Sequence, residues 1–443
     1  MNNSPPLSIP ERSAAIANGL SPVALVEECL HRIAEEDGAI NAMVFVDMAG
    51  ARAAARAAER EIAEGRTRGP LHGIPVAVKD VIDVAGWPTT AGSRLFDGYV
   101  AREDATCVAN LKGAGAIVIG KANLHELTVG SHDNRWFGKV VNPLNRSRGT
   151  GGTSSGSAAA VAAGFCVAAV GTDTGGSNRS TAAATGLVGL KPSNGLIPAA
   201  GVRPTALSLD AVGPITATVA DARMMVDAMP DGTLTRAEPA TGRGISLADV
   251  VLAVCPDLYD AAVDPVIQRS HTAWLNSLDR AGVRIETLTF GDNSELVEAG
   301  LAILRYEFAR EYAPLIERHP DRVADRARDF LAAALTVDEA SFRQALDVRQ
   351  RLTAAFLEKL KGVDVLAVPV APGLTPRLSD ECTRVGDAMV PYGLAGARFR
   401  LWANTFGMPA LAVPLRTDGV SRHRSSSPRA LGTTPRCSTS QRR

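Results

Sequence analysis

Residues 149–164 read GTGGTSSGSAAAVAAG, a run of glycines and hydroxyls that passes directly into an alanine-rich stretch. A second loop of the same character, GTDTGGSNRS at 171–180, follows the apolar run CVAAVG at 166–171. Glycine permits backbone shapes that side chains forbid, and successive N–H groups can then converge on one small anion. Two chemistries use such a nest: the cradling of a phosphate, and the oxyanion hole of an acyl-transfer enzyme. The surrounding chain has to choose between them.

Working outward, short apolar runs with the character of strands precede and follow these loops. They are IPVAV (74–78), AIVI (116–119) and CVAAVG, then DVVLAVC (249–255), VRIETLTF (283–290), VDVLAVPV (363–370) and ALAVPL (410–415). Helical patterns lie between them, such as DATCVANLKGAG (104–115). Ser21 and Pro22 open a helix in SPVALVEECLHRIAEED, as N-cap and first helical residue. A second helix, AGARAAARAAEREIAEG (49–65), is rich in alanine and paired charges. Strands alternating with helices predict an α/β sheet covered on both faces. The stretch 230–244, PDGTLTRAEPATGRG, is a candidate connection, and 292–360 reads as mostly helical. The last 23 residues hold six arginines and six serines and almost nothing apolar, so 421–443 is expected to be a disordered tail.

Composition narrows the partners. Lys+Arg and Asp+Glu both number 47, so no net charge draws the chain to nucleic acid or an anionic membrane. With 46 % hydrophobic and 21 % charged residues it has the balance of a soluble globular protein. No run approaches the roughly 18–20 apolar residues that span a bilayer, and MNNSPPLSIPERS lacks the layout of a secretory signal. The six cysteines are scattered without a CxxC, which predicts free thiols and a cytoplasmic setting.

The phosphate reading fails on detail. GAIVIGKA (115–122) almost matches the phosphate-loop pattern, but Ala122 replaces the magnesium-binding hydroxyl and AIVI reads as strand, so Lys121 is expected to be structural. A zinc site is no better, because HELTVGSH lacks H-E-x-x-H spacing. A histidine-based triad through His72, His125 or His132 stays open, although there is no G-x-S-x-G elbow. The other base is Lys79, at the end of GIPVAVKD. It is either a solvated strand end or a buried amine, and burial would lower its pKa enough to activate a hydroxyl nucleophile.

Six stretches now matter together: GPLHGIPVAVKD, PTTAGS, GAGAIVIGKANLHE, GGTSSGSAAAVAAG, GTDTGGS and GLVGLKP, in that order, with SLDAVGPITATVADA after them. In this the chain resembles the amidase signature family of serine hydrolases, from about residue 8 to 418 and most densely from 69 to 215. The resemblance implies one large α/β domain over about 1–420, with a mixed central sheet covered by helices on both faces and a signature core at 69–215. It implies a Ser–cis-Ser–Lys triad, with Lys79 as base, Ser177 as nucleophile, and Thr153 at the bridging position. The amides of Thr174, Gly175, Gly176 and Ser177 correspond to the oxyanion hole, and no metal or cofactor is implied. The activity implied is hydrolysis of a small-molecule amide through an acyl-Ser177 intermediate. An alternative is the glutamine-hydrolysing component of a tRNA-dependent amidotransferase complex, and another is an impaired amidase-like protein. A homodimer is common among such relatives. The substrate loops fall, by position, at 128–140 and within 292–360.

The sequence departs from the family in three places. Thr153 replaces the usual serine, keeping the hydroxyl but stiffening χ1, so Ser154 or Ser155 could move in. After the nucleophile the family's Ile-Arg-x-Pro is here Asn178-Arg179-Ser180-Thr181. The family's closing strand and helix have no counterpart in the Arg/Ser tail, which would leave a sheet edge unpaired.

Overall fold

In the computed structural model of the chain, Ser21 caps the helix that Pro22 begins, its hydroxyl accepting the Ala24 N–H at 3.2 Å. The structure describes residues 8–129, 132–232, 245–259, 263–385 and 387–415. The tail at 421–443 and most of the candidate connection at 230–244 lie outside the described residues. The first half runs α1 (Ile9–Ala17), α2 (Pro22–Ile40), β1 (Met43–Val46), α3 (Met48–Ala63), β2 (Pro75–Lys79), α4 (Thr106–Gly113) and β3 (Ile117–Ala122). It continues with α5 (Ser155–Ala162), β4 (Ala168–Asp173), α6 (Ser177–Ala184), β5 (Val188–Lys191), β6 (Ala211–Thr216) and α7 (Val219–Ala228). The second half adds β7 (Val251–Val254), α8 (Pro265–Arg280), β8 (Arg284–Thr287), α9 (Ser294–Arg318), α10 (Asp325–Ala334) and α11 (Glu339–Lys359). It closes with β9 (Val365–Ala367), β10 (Cys382–Val385), β11 (Ala388–Pro391), α12 (Tyr392–Thr405) and β12 (Ala410–Ala412).

Seven strands form the central sheet in the order β1-β3-β2-β4-β6-β5-β12. The sheet is mixed: β3, β2 and β4 run parallel, while β1, β6, β5 and β12 pair antiparallel with their neighbours. Every residue of β2, β3, β4 and β6 is buried. Because alternate side chains leave a strand on opposite sides, burial of all of them means that both faces are covered. Val76, Val78, Ile117, Ile119 and Val170 are among the core residues of this sheet. Each such side chain contributes about 1.5–3 kcal/mol by leaving water.

The central position of β4 carries the functional consequence. Its parallel neighbour β2 is in register with it, Val76 opposite Ala168 and Val78 opposite Val170. The two strands therefore deliver the ends of VAVK and VGTD to the same edge of the sheet, and Lys79 arrives beside Thr172. Of the later apolar runs, ALAVPL extends this sheet as β12 and the other three do not. β8, β7 and β9 form a separate parallel sheet of three strands. Short runs of β-branched residues announce strands but not which sheet they join.

Candidate active site

The chain leaves β4 at Asp173, turns through Thr174-Gly175-Gly176, and starts α6 at Ser177. Gly176 has φ +105°, where a side chain would be strained, and a Cβ there would meet the Arg400 stem at 2.3 Å. As first residue of the helix, Ser177 has an N–H with no intrahelical acceptor. The other glycine loop ends at α5, with Gly151 at φ +81° packed against Thr375. Both loops thus turn sharply at the same end of the sheet, and both face the segment after β9.

Lys79 is 0 % exposed. Its Nζ donates to Thr153 Oγ1 at 3.1 Å and to Thr172 Oγ1 at 2.8 Å. Burial draws its pKa down to about 7, against the opposing pull of the Asp210 and Asp173 carboxylates. An amine with that pKa is about half neutral at pH 7, whereas an ordinary lysine is neutral in only about one molecule in three thousand. Lys79 is therefore a buried amine and not a solvated strand end.

Ser177 Oγ donates to the Thr172 carbonyl at 2.5 Å and pairs with Ser154 Oγ at 2.8 Å. Ser154 also reaches the Thr172 carbonyl, at 2.9 Å. The hydroxyl in direct contact with Ser177 is thus that of Ser154, while Thr153 holds the lysine; among the described residues no hydrogen bond joins Thr153 to Ser177. All peptide bonds of the described residues are trans, so the cis bond implied at the bridging position is not present. Ser155 is the first residue of α5 and is buried. The two hydroxyls are separable by substitution. If Thr153 carries the proton, Thr153→Val should lower kcat by about 10²–10³-fold and Thr153→Ser should maintain or raise it, while Ser154→Ala costs about tenfold. Steady-state kinetics checks this. A Thr153→Val enzyme near full activity, alongside a collapsed Ser154→Ala, would assign the relay to Ser154.

Asp173 organises the loop from behind. Its carboxylate, 0 % exposed, accepts from Arg179 Nε at 3.0 Å and Nη2 at 2.9 Å, and from Asn404 Nδ2 at 3.0 Å. It also accepts the Gly176 N–H at 2.9 Å, which engages one of the four amides named for the oxyanion hole. Burial raises the Asp173 carboxyl, but Arg179, Lys191 and Asn404 outweigh it and hold it well below the usual carboxylate range. Asp210, pushed up to about 6 by burial, accepts from the Thr174 hydroxyl and from the amides of Thr205 and Ala206. Where the family has isoleucine, Asn178 donates to the Gly213 carbonyl at 3.0 Å, and Thr181 at the proline position donates back to the Ser177 carbonyl at 2.7 Å.

The lysine and histidine alternatives resolve simply. Lys121 pairs with Asp80 at 2.9 Å and donates to Thr89 at 2.7 Å, a buried structural lysine. His72 is committed to Glu61 at 3.2 Å and to the Arg68 amide at 3.1 Å, and burial lowers its pKa. His132 reaches the Leu378 carbonyl. Among the described residues no cluster of three or more His, Cys, Asp or Glu side chains could hold a metal. Residues from outside 128–140 and 292–360 pack on the glycine loops. Thr375 and Tyr392 approach Gly151, and Arg400 lies against Gly176. The available signal was an arginine, Arg400, in the middle of the apolar pattern of RFRLWANTF (398–406).

The family model described as Amidase matches residues 24–422. A relative from Anaeromyxobacter sp. (strain K), the A component of its glutamyl-tRNA(Gln) amidotransferase, is 34 % identical, with 94 % of this chain and 90 % of that protein covered. A crystal structure of an amidase superposes with TM-score 0.85 at 32 % identity, covering 92 % of each chain. The peptide amidase from Stenotrophomonas maltophilia superposes with TM-score 0.76 at 28 % identity, covering 94 % of this chain and 91 % of that one.

Proposed function

Because the chain belongs to the amidase family, we propose that it hydrolyses a small-molecule carboxylic acid amide through an ester formed on Ser177. The observation that carries the reading is the buried amine of Lys79, between the hydroxyls of Thr153 and Thr172 at the end of the strand beside the nucleophile. In the proposed sequence, the Thr153 hydroxyl turns from its resting position to Ser177, neutral Lys79 takes the Ser177 proton through it, and Ser177 Oγ attacks the amide carbon. The amides of Thr174, Gly175 and Ser177 receive the developing oxyanion, each such donor being worth roughly 2.7–4 kcal/mol. The Gly176 amide joins them only if it leaves Asp173. Lys79 then returns the proton to the leaving nitrogen, the C–N bond breaks, and water cleaves the ester by the same route. Residues up to about 420 form the amidase domain in this reading. The cytoplasm is its compartment, supported by the five described cysteines, which are all free thiols. No described helix is long and apolar enough to cross a membrane, and a homodimer is the assembly proposed.

A second reading is favoured by the curated relatives, which are the A components of glutamyl-tRNA(Gln) amidotransferases. There the amide would be glutamine, and ammonia would pass to a partner chain. One experiment serves both readings: a panel of aliphatic, aryl and urea-type amides plus glutamine, with mass spectrometry of the Ser177 peptide. Acylation of Ser177 by any member supports the common chemistry. Glutamine turnover only with amidotransferase partner chains selects the second reading. An unmodified Ser177 with every amide, in a folded protein both alone and with those partner chains, overturns both.

A further inference from the structure

α12 presents two polar side chains to the glycine loops that the catalytic sequence does not use. Arg400 is 5 % exposed, and among the described residues its guanidinium donates only to main-chain carbonyls, Nε to Gly175 at 3.3 Å and Nη1 to Val370 at 3.0 Å. Nη2 has no protein acceptor among the described residues, and no carboxylate there forms an ion pair with it. The carboxylate that acts on it, Asp173, is already held by Arg179. Tyr392, at the start of the same helix, is 7 % exposed, and its hydroxyl makes no hydrogen bond among the described residues. The Arg400 guanidinium carbon stands 5.8 Å from the Tyr392 ring centre.

A buried guanidinium without a counter-ion costs several kcal/mol, and proteins keep one where an anion arrives to pair with it. The place fits such an arrival. The Arg400 stem covers Gly176, the residue before the nucleophile, and the Tyr392 hydroxyl stands over Gly151, two residues before Thr153. The pair therefore spans both catalytic loops on the side of α12. Since the Arg179–Asp173 pair is neutral as a unit, the Arg400 charge is left without a dedicated partner.

We propose that Arg400 and Tyr392 form an anion subsite, selecting amides whose acyl part carries a carboxylate, of the succinamate type. The inference rests on the amidase reading and narrows its substrate class. The guanidinium supplies a charged donor through Nη2, and the tyrosine hydroxyl supplies a second, neutral donor. Both act on the acyl side, so the carboxylate of the product acid remains bound after ammonia leaves.

The test compares kcat/KM for succinamate with that for uncharged butyramide, in the full chain and in Arg400→Met, Arg400→Lys and Tyr392→Phe. The parent should prefer succinamate by about 100-fold. The preference should fall to near parity in Arg400→Met, in part in Arg400→Lys, and by about five- to tenfold in Tyr392→Phe. Succinate binding by titration calorimetry supplies a second readout that needs no turnover. It should be measurable in the parent and lost in Arg400→Met; if that variant does not fold, weakened binding in Tyr392→Phe carries the test. A parent that binds no succinate, or binds it as well after either substitution, overturns the subsite. So does acylation of Ser177 without charge preference, and that result leaves the amidase reading standing. Failure of every amide to acylate Ser177 removes the reading itself, and succinate binding then still decides the subsite.

Discussion

Lys79→Met should lower kcat for amide hydrolysis by about 10⁴-fold, roughly 5.4 kcal/mol of barrier, with the fold intact. Methionine fills much of the lysine's volume and removes an amine whose burial is costly, so folding stability should hold or rise. The threonines at 153 and 172 lose one partner each but remain beside one another's loops. In the parent enzyme the same amine sets the pH profile. Its base form is the neutral one, and burial lowers its pKa to about 7. Activity should therefore be low at pH 5, rise through about pH 7 and level off above, where an exposed lysine would still be gaining base near pH 10. Circular dichroism and pH–rate measurements check both parts. A Lys79→Met enzyme within tenfold of the parent, or a flat parent profile between pH 5 and 9, would remove Lys79 as base.

Asp173→Asn should destabilise the protein by about 3–5 kcal/mol, because it leaves the Arg179 guanidinium buried without its carboxylate. An asparagine retains the shape but offers one acceptor where the carboxylate serves Arg179, Asn404 and Gly176. The cost reads as a lower urea midpoint with an unchanged slope. Activity should fall as well, since the turn presenting Ser177 hangs from this carboxylate. The double variant Asp173→Asn, Arg179→Met should recover part of the lost stability, as removal of both charges commonly does. A single variant as stable as the parent would mean that the network is not what holds the nucleophile turn.

Much of this was legible in the residues. Ser21-Pro22 announced a capped helix, and the runs at 74–78, 116–119 and 166–171 announced strands, because local chemistry decides those features. The assembly of Lys79 with the two loops was carried by the ordered motifs, since pairing of β2 with β4 joins residues about 90 apart and leaves no local trace. Three things were not legible. The separation of β7, β8 and β9 into their own sheet depends on what α9 and α11 cover. The choice of Ser154 among the three hydroxyls that the sequence left open depends on one turn's dihedral angles. The arrival of Arg400 and Tyr392 depends on how α12 docks more than 200 residues after the nucleophile.

The chain has seven lysines, and Lys79, Lys121 and Lys191 sit at or near the ends of β2, β3 and β5 with no exposed surface. Reagents that cap lysine amines therefore meet only Lys112, Lys139, Lys359 and Lys361 on the native molecule. Modification at the other three records the sheet coming apart, strand by strand, so the protein carries its own site-resolved gauge of unfolding.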